Sequence, residues 1–328
     1  MKFKTTSLLG LSVLALGAVF AGQAQAAPAG CTISGIVTAG GMLTGTDVTS
    51  STSSGSLNGN WDSLFGEGAG LITCDAWNFQ SDFAYYDHRA SASTGNKNSA
   101  SKNFSVPEGH FGGDVFWRAP NSGAFGVQAS YVTQTTIIPG FAADYLRLGA
   151  FGEYYLNDQA TLGLGGHYFF STHDQFGFSN QGKNHSGFEL SADAKYYLSP
   201  DLKFSLTGEL LNSQYTSTNF PGSLNLNGYA ITAQADYQFN DSGLIGFIGG
   251  RYAHRTLGSD SSPDNLNIND KQVYVGMTFA FGGPKGASLV ARDRNGPVNN
   301  TSTFLEKLPD PISDLEISGL QSGGGGAP

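Results

Sequence analysis

Charge is scarce in this sequence. Charged residues make up 13% of the 328 positions, about half of the roughly 25% usual in soluble domains. So few charges would leave much of a water-facing surface uncovered. Those present lean acidic, with 26 Asp and Glu against 17 Lys and Arg and a formal net charge of −9. That balance excludes the basic footprint that nucleic-acid binding requires. Long apolar runs are also missing. Beyond the first twenty residues no segment approaches the roughly 18 consecutive apolar positions that a membrane-spanning helix needs. Cysteine occurs twice, at Cys31 and Cys74, which suits an oxidising compartment where such a pair becomes a disulfide. Two free, buried thiols are the alternative.

The first residues carry a targeting pattern. Lys2 and Lys4 precede an almost unbroken apolar run from Leu8 to Phe20, and Ala24-Gln25-Ala26 supplies small residues at the spacing signal peptidase reads. Residues 1–26 are therefore expected to be a secretory signal peptide cleaved after Ala26, since the apolar stretch is too short for a span. Cys31 follows Pro28-Ala29-Gly30 rather than a lipoprotein box.

What the sequence does have is alternation. Val273, Val275, Met277, Phe279 and Phe281 interleave with Gln272, Tyr274, Gly276, Thr278 and Ala280. The same period of two runs through Phe188 to Leu198, Leu202 to Leu210 and Tyr229 to Phe239. One face of each is apolar with aromatics near its ends, and the other is polar and often charged. Period two is the mark of half-buried strands, and a soluble sandwich would show it as well. The connections separate the two cases. From the strand at 109–118 onward, links alternate between tight turns (119–122, 157–158, 199–200, 240–242) and long polar stretches (roughly 134–142, 173–185, 216–225, 257–270). A meander tight at one end and looped at the other is what a transmembrane β-barrel needs.

Counting strands predicts about twelve. Residues 74–88 read as one strand, and 31–41 with 61–72 as two weaker, Gly-rich ones around a Ser/Thr loop at 43–60. Without those two, ten remain, and either number is even, which puts both barrel ends on one rim. In the twelve-strand register Cys31 and Cys74 meet on neighbouring strands at the periplasmic rim. The barrel is expected over 27–281. Residues 282–328 lose the alternation and gain Gly, Pro, Asn and Asp, which reads as a largely disordered periplasmic tail. Within it Thr303 and Glu306 have the spacing of a capping box for one short helix.

No catalytic centre is legible. His173-Asp174 and His185-Ser186 fall in one long loop, and His110 and Asp114 begin another strand, but none has the pattern of a barrel hydrolase. His173 and His185 have no recognised metal-ligand spacing. Gly163-x-Gly165-Gly166 and Gly249-Gly250 read as strand glycines, not phosphate loops, because no helix follows. The expectation is a protein that is not an enzyme and holds no cofactor or metal.

Val273 to Phe281 resembles the closing strand of Gram-negative outer-membrane barrels, which alternates apolar residues and finishes on an aromatic. Here a tail follows that aromatic. The resemblance implies insertion by the barrel-assembly machinery through this strand, with outer-membrane lipid and lipopolysaccharide as surroundings. His110-Phe111-x-x-Asp114-x-Phe116-Trp117-Arg118-x-Pro120 followed by Gly123-x-Phe125-Gly126 is similar to porins of proteobacteria.

With the aromatic-rich face outward, the opposite face lines the lumen. It carries the acids Asp82, Asp114, Glu153, Glu189, Asp193, Glu209 and Asp236 and the bases Arg118, Arg147, Lys195, Lys203, Arg251 and Arg255. A charge facing lipid would cost a few kcal/mol at the midplane, so these positions are expected to line a pore. Acids and bases on facing walls would set up a transverse field. The expectation is passive diffusion of small hydrophilic solutes through a charge-lined lumen. The alternative is a barrel plugged by salt bridges and acting through its surface loops, because twelve strands fall between the filled eight-stranded and the open sixteen-stranded cases.

Overall fold

The computed structural model describes residues 30–51, 56–92, 102–135, 142–174, 183–217, 223–239, 243–259, 262–283 and 286–298. The expected signal peptide and the capping box at Thr303 lie outside the described residues. Twelve strands follow in order: β1 (Cys31–Ser50), β2 (Ser56–Cys74), β3 (Trp77–Ala92), β4 (Lys102–Ala119), β5 (Gly123–Thr135), β6 (Ala142–Asn157), β7 (Ala160–Asp174), β8 (Lys183–Ser199), β9 (Leu202–Ser217), β10 (Ser223–Phe239), β11 (Leu244–Ser259) and β12 (Ser262–Phe281). One helix, α1 (Leu289–Asn295), comes after them. Every strand pairs antiparallel with its sequence neighbours, and β1 pairs with β12 to close the ring. The fold is an up-and-down, all-antiparallel transmembrane barrel of twelve strands.

The alternation explains why. Val273, Val275, Met277 and Phe279 of β12 are exposed on the outside, as are Leu206 and Leu210 of β9 and Leu162 and Leu164 of β7. An apolar surface of that extent is unsuited to water and matches a lipid-facing belt. The belt has an edge. On β1 it passes from Leu43 to Asp47, and on β12 from Val273 to Lys271, where Lys271 Nζ lies 3.2 Å from Asp47 Oδ2 with both side chains exposed. Crossing a bilayer takes about 9–11 tilted residues, whereas these strands run from 13 in β5 to 20 in β1 and β12. The excess continues past the belt toward the rim of longer loops.

That excess corrects two readings. The stretches taken as loops at 43–60 and 257–270 are mostly strand, because β1 reaches Ser50, β2 starts at Ser56, β11 ends at Ser259 and β12 begins at Ser262. Polar Thr, Asn and Asp residues satisfy their backbone in the hairpin ladder as well as apolar ones do, so polarity there does not end a strand.

The ten-strand count also falls. β1 and β2 are full members of the barrel, and β1 supplies its closing seam. Their weak sequence signal comes from glycines over which aromatic rings fold. A Cβ on Gly35 would sit 2.3 Å from the Phe281 ring, and one on Gly40 would sit 2.4 Å from the Phe65 ring. The rings supply the apolar contact that the glycines lack. At the short-turn rim Cys31 and Cys74 are register partners with Cα atoms 4.3 Å apart and are joined as a disulfide.

Part of the segment read as a tail is ordered. Ser288 caps α1 by accepting from the Ala291 N–H, and the Gly296 N–H donates to the Arg292 carbonyl at its other end. Residues 286–298 pack inside the short-turn mouth. Their order comes from contacts with distant strands, which local composition does not report.

Candidate functional site

The inward face of the strands forms three levels. Nearest the loop rim, Val48, Val132, Tyr145, Phe169, Leu211, Leu226, Leu257 and Ile268 pack as one apolar cluster spanning β1, β5, β6, β7, β9, β10, β11 and β12. Tyr145 and Phe169 meet edge to face at 5.8 Å. His185 lies against both rings, within 3.1 Å of the Tyr145 hydroxyl and of Ser213 Oγ. This level is a packed core.

Below it the charges come in pairs. Arg147 Nη2 is 3.0 Å from Glu189 Oε2, Arg251 is 3.1 Å from Glu209, and Arg255 is 2.8 Å from Asp270, which also accepts from Thr46 Oγ1 at 2.7 Å. His110 Nε2 lies 3.1 Å from Asp82, while Asp114 accepts from Gln80 at 2.8 Å. Ser63 Oγ contacts His88 Nδ1 at 2.7 Å, and His88 Nε2 lies 3.6 Å from Glu108. That trio has the composition of a catalytic triad. Ser63 is only 3% exposed and outside the lining of the lumen chamber, however, so the trio acts as a buried link between β2, β3 and β4.

Next comes a chamber of about 800 Å³. Gln128, Asp193, Thr207, Thr232, Gln234 and Tyr274 are among its lining residues. Gln128 Nε2, Asp193 Oδ2 and Thr232 Oγ1 have no hydrogen-bond partner among the described residues. A chamber of this size lined by Glu153, Asp193, Thr207 and Gln234 has the room and the polar groups to hold water. Its floor is built by Lys195 Nζ, 2.8 Å from Glu153, and by Lys203 Nζ, 3.0 Å from Asp293 of α1 and 3.6 Å from Asp236. The Tyr197 hydroxyl donates to Asp293 at 2.8 Å. Burial alone would raise the Asp293 carboxyl. The Lys203 and Lys195 ammoniums and the hydrogen bonds from Tyr197 and Lys203 outweigh it and hold the pKa below the ordinary carboxylate value.

All thirteen charged residues singled out from the sequence point into the barrel. Nine of them (Arg118, Glu153, Glu189, Asp193, Lys195, Lys203, Glu209, Asp236 and Arg251) line the chamber. Asp82, Asp114, Arg147 and Arg255 are instead enclosed by packing and paired. The ion pairs run along the wall and not across the lumen. Glu153 and Lys195 sit on β6 and β8, and Glu209 and Arg251 on β9 and β11, so each pair spans only one intervening strand. The intervening residue is small in each case. Gly163 on β7 lies between Glu153 and Asp193 in register, and a Cβ there would meet Asp193 Oδ1 at 2.0 Å. Ala230 and Thr232 on β10 occupy the same place between Glu209 and Arg251. Long side chains two strands apart, roughly 10 Å, reach one another over these gaps and neutralise locally.

Sequence reasoning missed Asp270, Glu67 and Asp293. Asp270 lies in a stretch whose polarity reads as loop, and Glu67, which lines the chamber and accepts from the Tyr86 hydroxyl, lies in a weak strand whose parity would have found it. Nothing local marks Asp293.

No protein-family model matches this chain, and no curated protein does. Among solved structures it is similar to an outer-membrane channel from Pseudomonas putida, at 12% identity and a TM-score of 0.54, over 78% of this chain and 97% of that one. It is also similar to the toluene transporter TodX of the same species, at 11% identity and a TM-score of 0.37, over 77% and 90%. A third is the translocator domain of the autotransporter NalP from Neisseria meningitidis, at 15% identity and a TM-score of 0.38, over 84% and 96%. The first likeness is one of fold, and the other two carry no weight.

Proposed function

We propose that this barrel is a bacterial outer-membrane channel for small hydrophilic solutes, described here in a closed state. The observation that carries the reading is the chamber. A barrel that served only as an anchor could fill its interior, as its upper level does, yet this one keeps about 800 Å³ whose wall mixes hydroxyl, amide and charged groups with apolar side chains such as Phe65, Phe151 and Phe247. Solutes would cross it by diffusion, coordinated by Glu153, Asp193, Lys195, Lys203, Glu209 and Arg251. Acids outnumber bases on its wall, so cations are the expected preference. Targeting by the leader and insertion through β12 belong to the same reading.

A second reading has its own support. The apolar cluster of Tyr145, Phe169, Leu211, Leu257 and Ile268 closes the loop-side half, which suits a plugged barrel acting through its loops. Single-channel recording of the refolded protein in a planar bilayer separates the two. Discrete steps whose ion preference changes in Glu153→Gln or Asp193→Asn support the channel. A correctly folded barrel that stays silent, even with Phe169→Ala opening the apolar level and the chain ended at Gly283, supports the plugged barrel.

A further inference from the structure

Segment 286–298 belongs to no strand pair, yet it lies across the short-turn end of the chamber: Arg292, Asp293, Gly296 and Val298 are among its lining, beside the rim residues Thr73, Asp75 and Pro120. It is fastened at two places nearly opposite in the ring of strands. On one side, Gln238 Nε2 donates to the Ala287 carbonyl at 2.9 Å, the Leu289 N–H donates to the Pro200 carbonyl at 2.8 Å, and Leu289 packs on Tyr197 and Ile245. On the other, Gln80 makes two bonds with the Val298 backbone, at 2.8 and 2.9 Å, and Arg118 donates to the Gly296 carbonyl at 2.6 Å. Val298 fills a pocket beside Phe116 and Phe151. Between these points Asp293 is latched to Lys203 and Tyr197, and Arg294 donates to the Asn157 carbonyl.

Two of the barrel groups that hold the segment have a second partner within the barrel. Lys203 faces Asp236 at 3.6 Å, and Gln80 donates to Asp114 at 2.8 Å. Withdrawing the segment therefore strands neither of them and breaks no ladder bond. Arg118 gives up its hydrogen bond to the Gly296 carbonyl and keeps the Phe116 ring, 4.8 Å from its guanidinium. Partners of the first kind let the segment separate from the barrel at low cost.

We propose that residues 286–298 are a displaceable stopper, an autoinhibitory strap across the short-turn mouth that bars solutes from the chamber until it is withdrawn. Its role as a gate rests on the channel reading. The occlusion itself can be measured without that reading.

The test uses Thr207→Cys, on the chamber wall, as the one free thiol, since both native cysteines are in the disulfide. The refolded protein is treated with a small, charged, membrane-impermeant methanethiosulfonate. The chain ended at Gly283 should label about tenfold or more faster than the full chain, and full-length D293A/R294A, which keeps every barrel residue, about three- to tenfold faster. Equal rates for the full chain and both variants would overturn the stopper. Faster labelling in a shortened chain that conducts no ions would uphold the stopper and remove the channel reading instead.

Discussion

Arg147→Met probes whether the middle of the barrel is dry. The guanidinium is 2% exposed, its partner Glu189 is 5% exposed, and the two lie 3.0 Å apart. At an effective dielectric near 20 a pair at that separation attracts by about 5 kcal/mol. The penalty for leaving Glu189 buried without this guanidinium is what the substitution reads, about 3–5 kcal/mol. Glu189→Met should cost about the same. The double variant should recover most of the loss, because two apolar side chains of similar length refill a packed layer at nearly neutral cost. Urea unfolding in lipid vesicles measures all three, with Trp61, Trp77 and Trp117 as fluorescence reporters placed away from the pair. Single-variant losses below about 1 kcal/mol, with no recovery in the double, would refute the reasoning. They would mean that water already surrounds the pair and that the lumen is open at this height.

The disulfide links residues 43 apart in sequence, so C31A/C74A should lower stability by about 4 kcal/mol through loop-closure entropy, read as a drop in the urea midpoint with the heat-modifiable fold retained. On the lipid face, Val275→Arg should cost about 2–4 kcal/mol, whereas Lys271→Ala, which breaks only the exposed pair with Asp47, should change the same midpoint by less than about 1 kcal/mol. The Asp293 latch has a pH dependence of definite sign. Its carboxyl is held below the ordinary value in the folded protein, so the stabilisation is present above that ordinary value and is lost as pH falls through the depressed one. The labelling rate of Thr207→Cys in the full chain, taken as a ratio to that in the chain ended at Gly283 at the same pH so that the common loss of thiolate cancels, should thus stay low from neutral to mildly acidic pH and rise only in stronger acid. In D293N that rise should be absent, although Glu153, Asp193 and Asp236 also face the floor.

The barrel was legible because its rules are local. Val273 to Phe281 states the alternation outright, and the short turns at 158–159 and 200–201 carry the residues such turns demand. β1 was faint because Gly35 and Gly40 borrow their apolar cover from Phe281 and Phe65, partners distant in sequence that no local pattern reveals. The inward charges followed from parity, but their pairing did not. Whether Glu153 meets Lys195 across β7 or a base across the lumen depends on the register that sets Gly163 beside Glu153 and Thr161 beside Lys195, a fact of three dimensions. The seating of α1 was the least accessible. Asp293 is one acid in a polar stretch until Lys203 and Tyr197 are seen around it.

The most direct test of the channel itself is conductance across a planar bilayer by the refolded chain ended at Gly283 and carrying Phe169→Ala, which removes the strap and thins the apolar level together. Stable single-channel steps that favour cations are expected, with that preference weakened by Asp193→Asn. A heat-modifiable, properly folded barrel of this composition that passes no current would contradict it, and would leave the molecule a closed barrel acting through its outer loops.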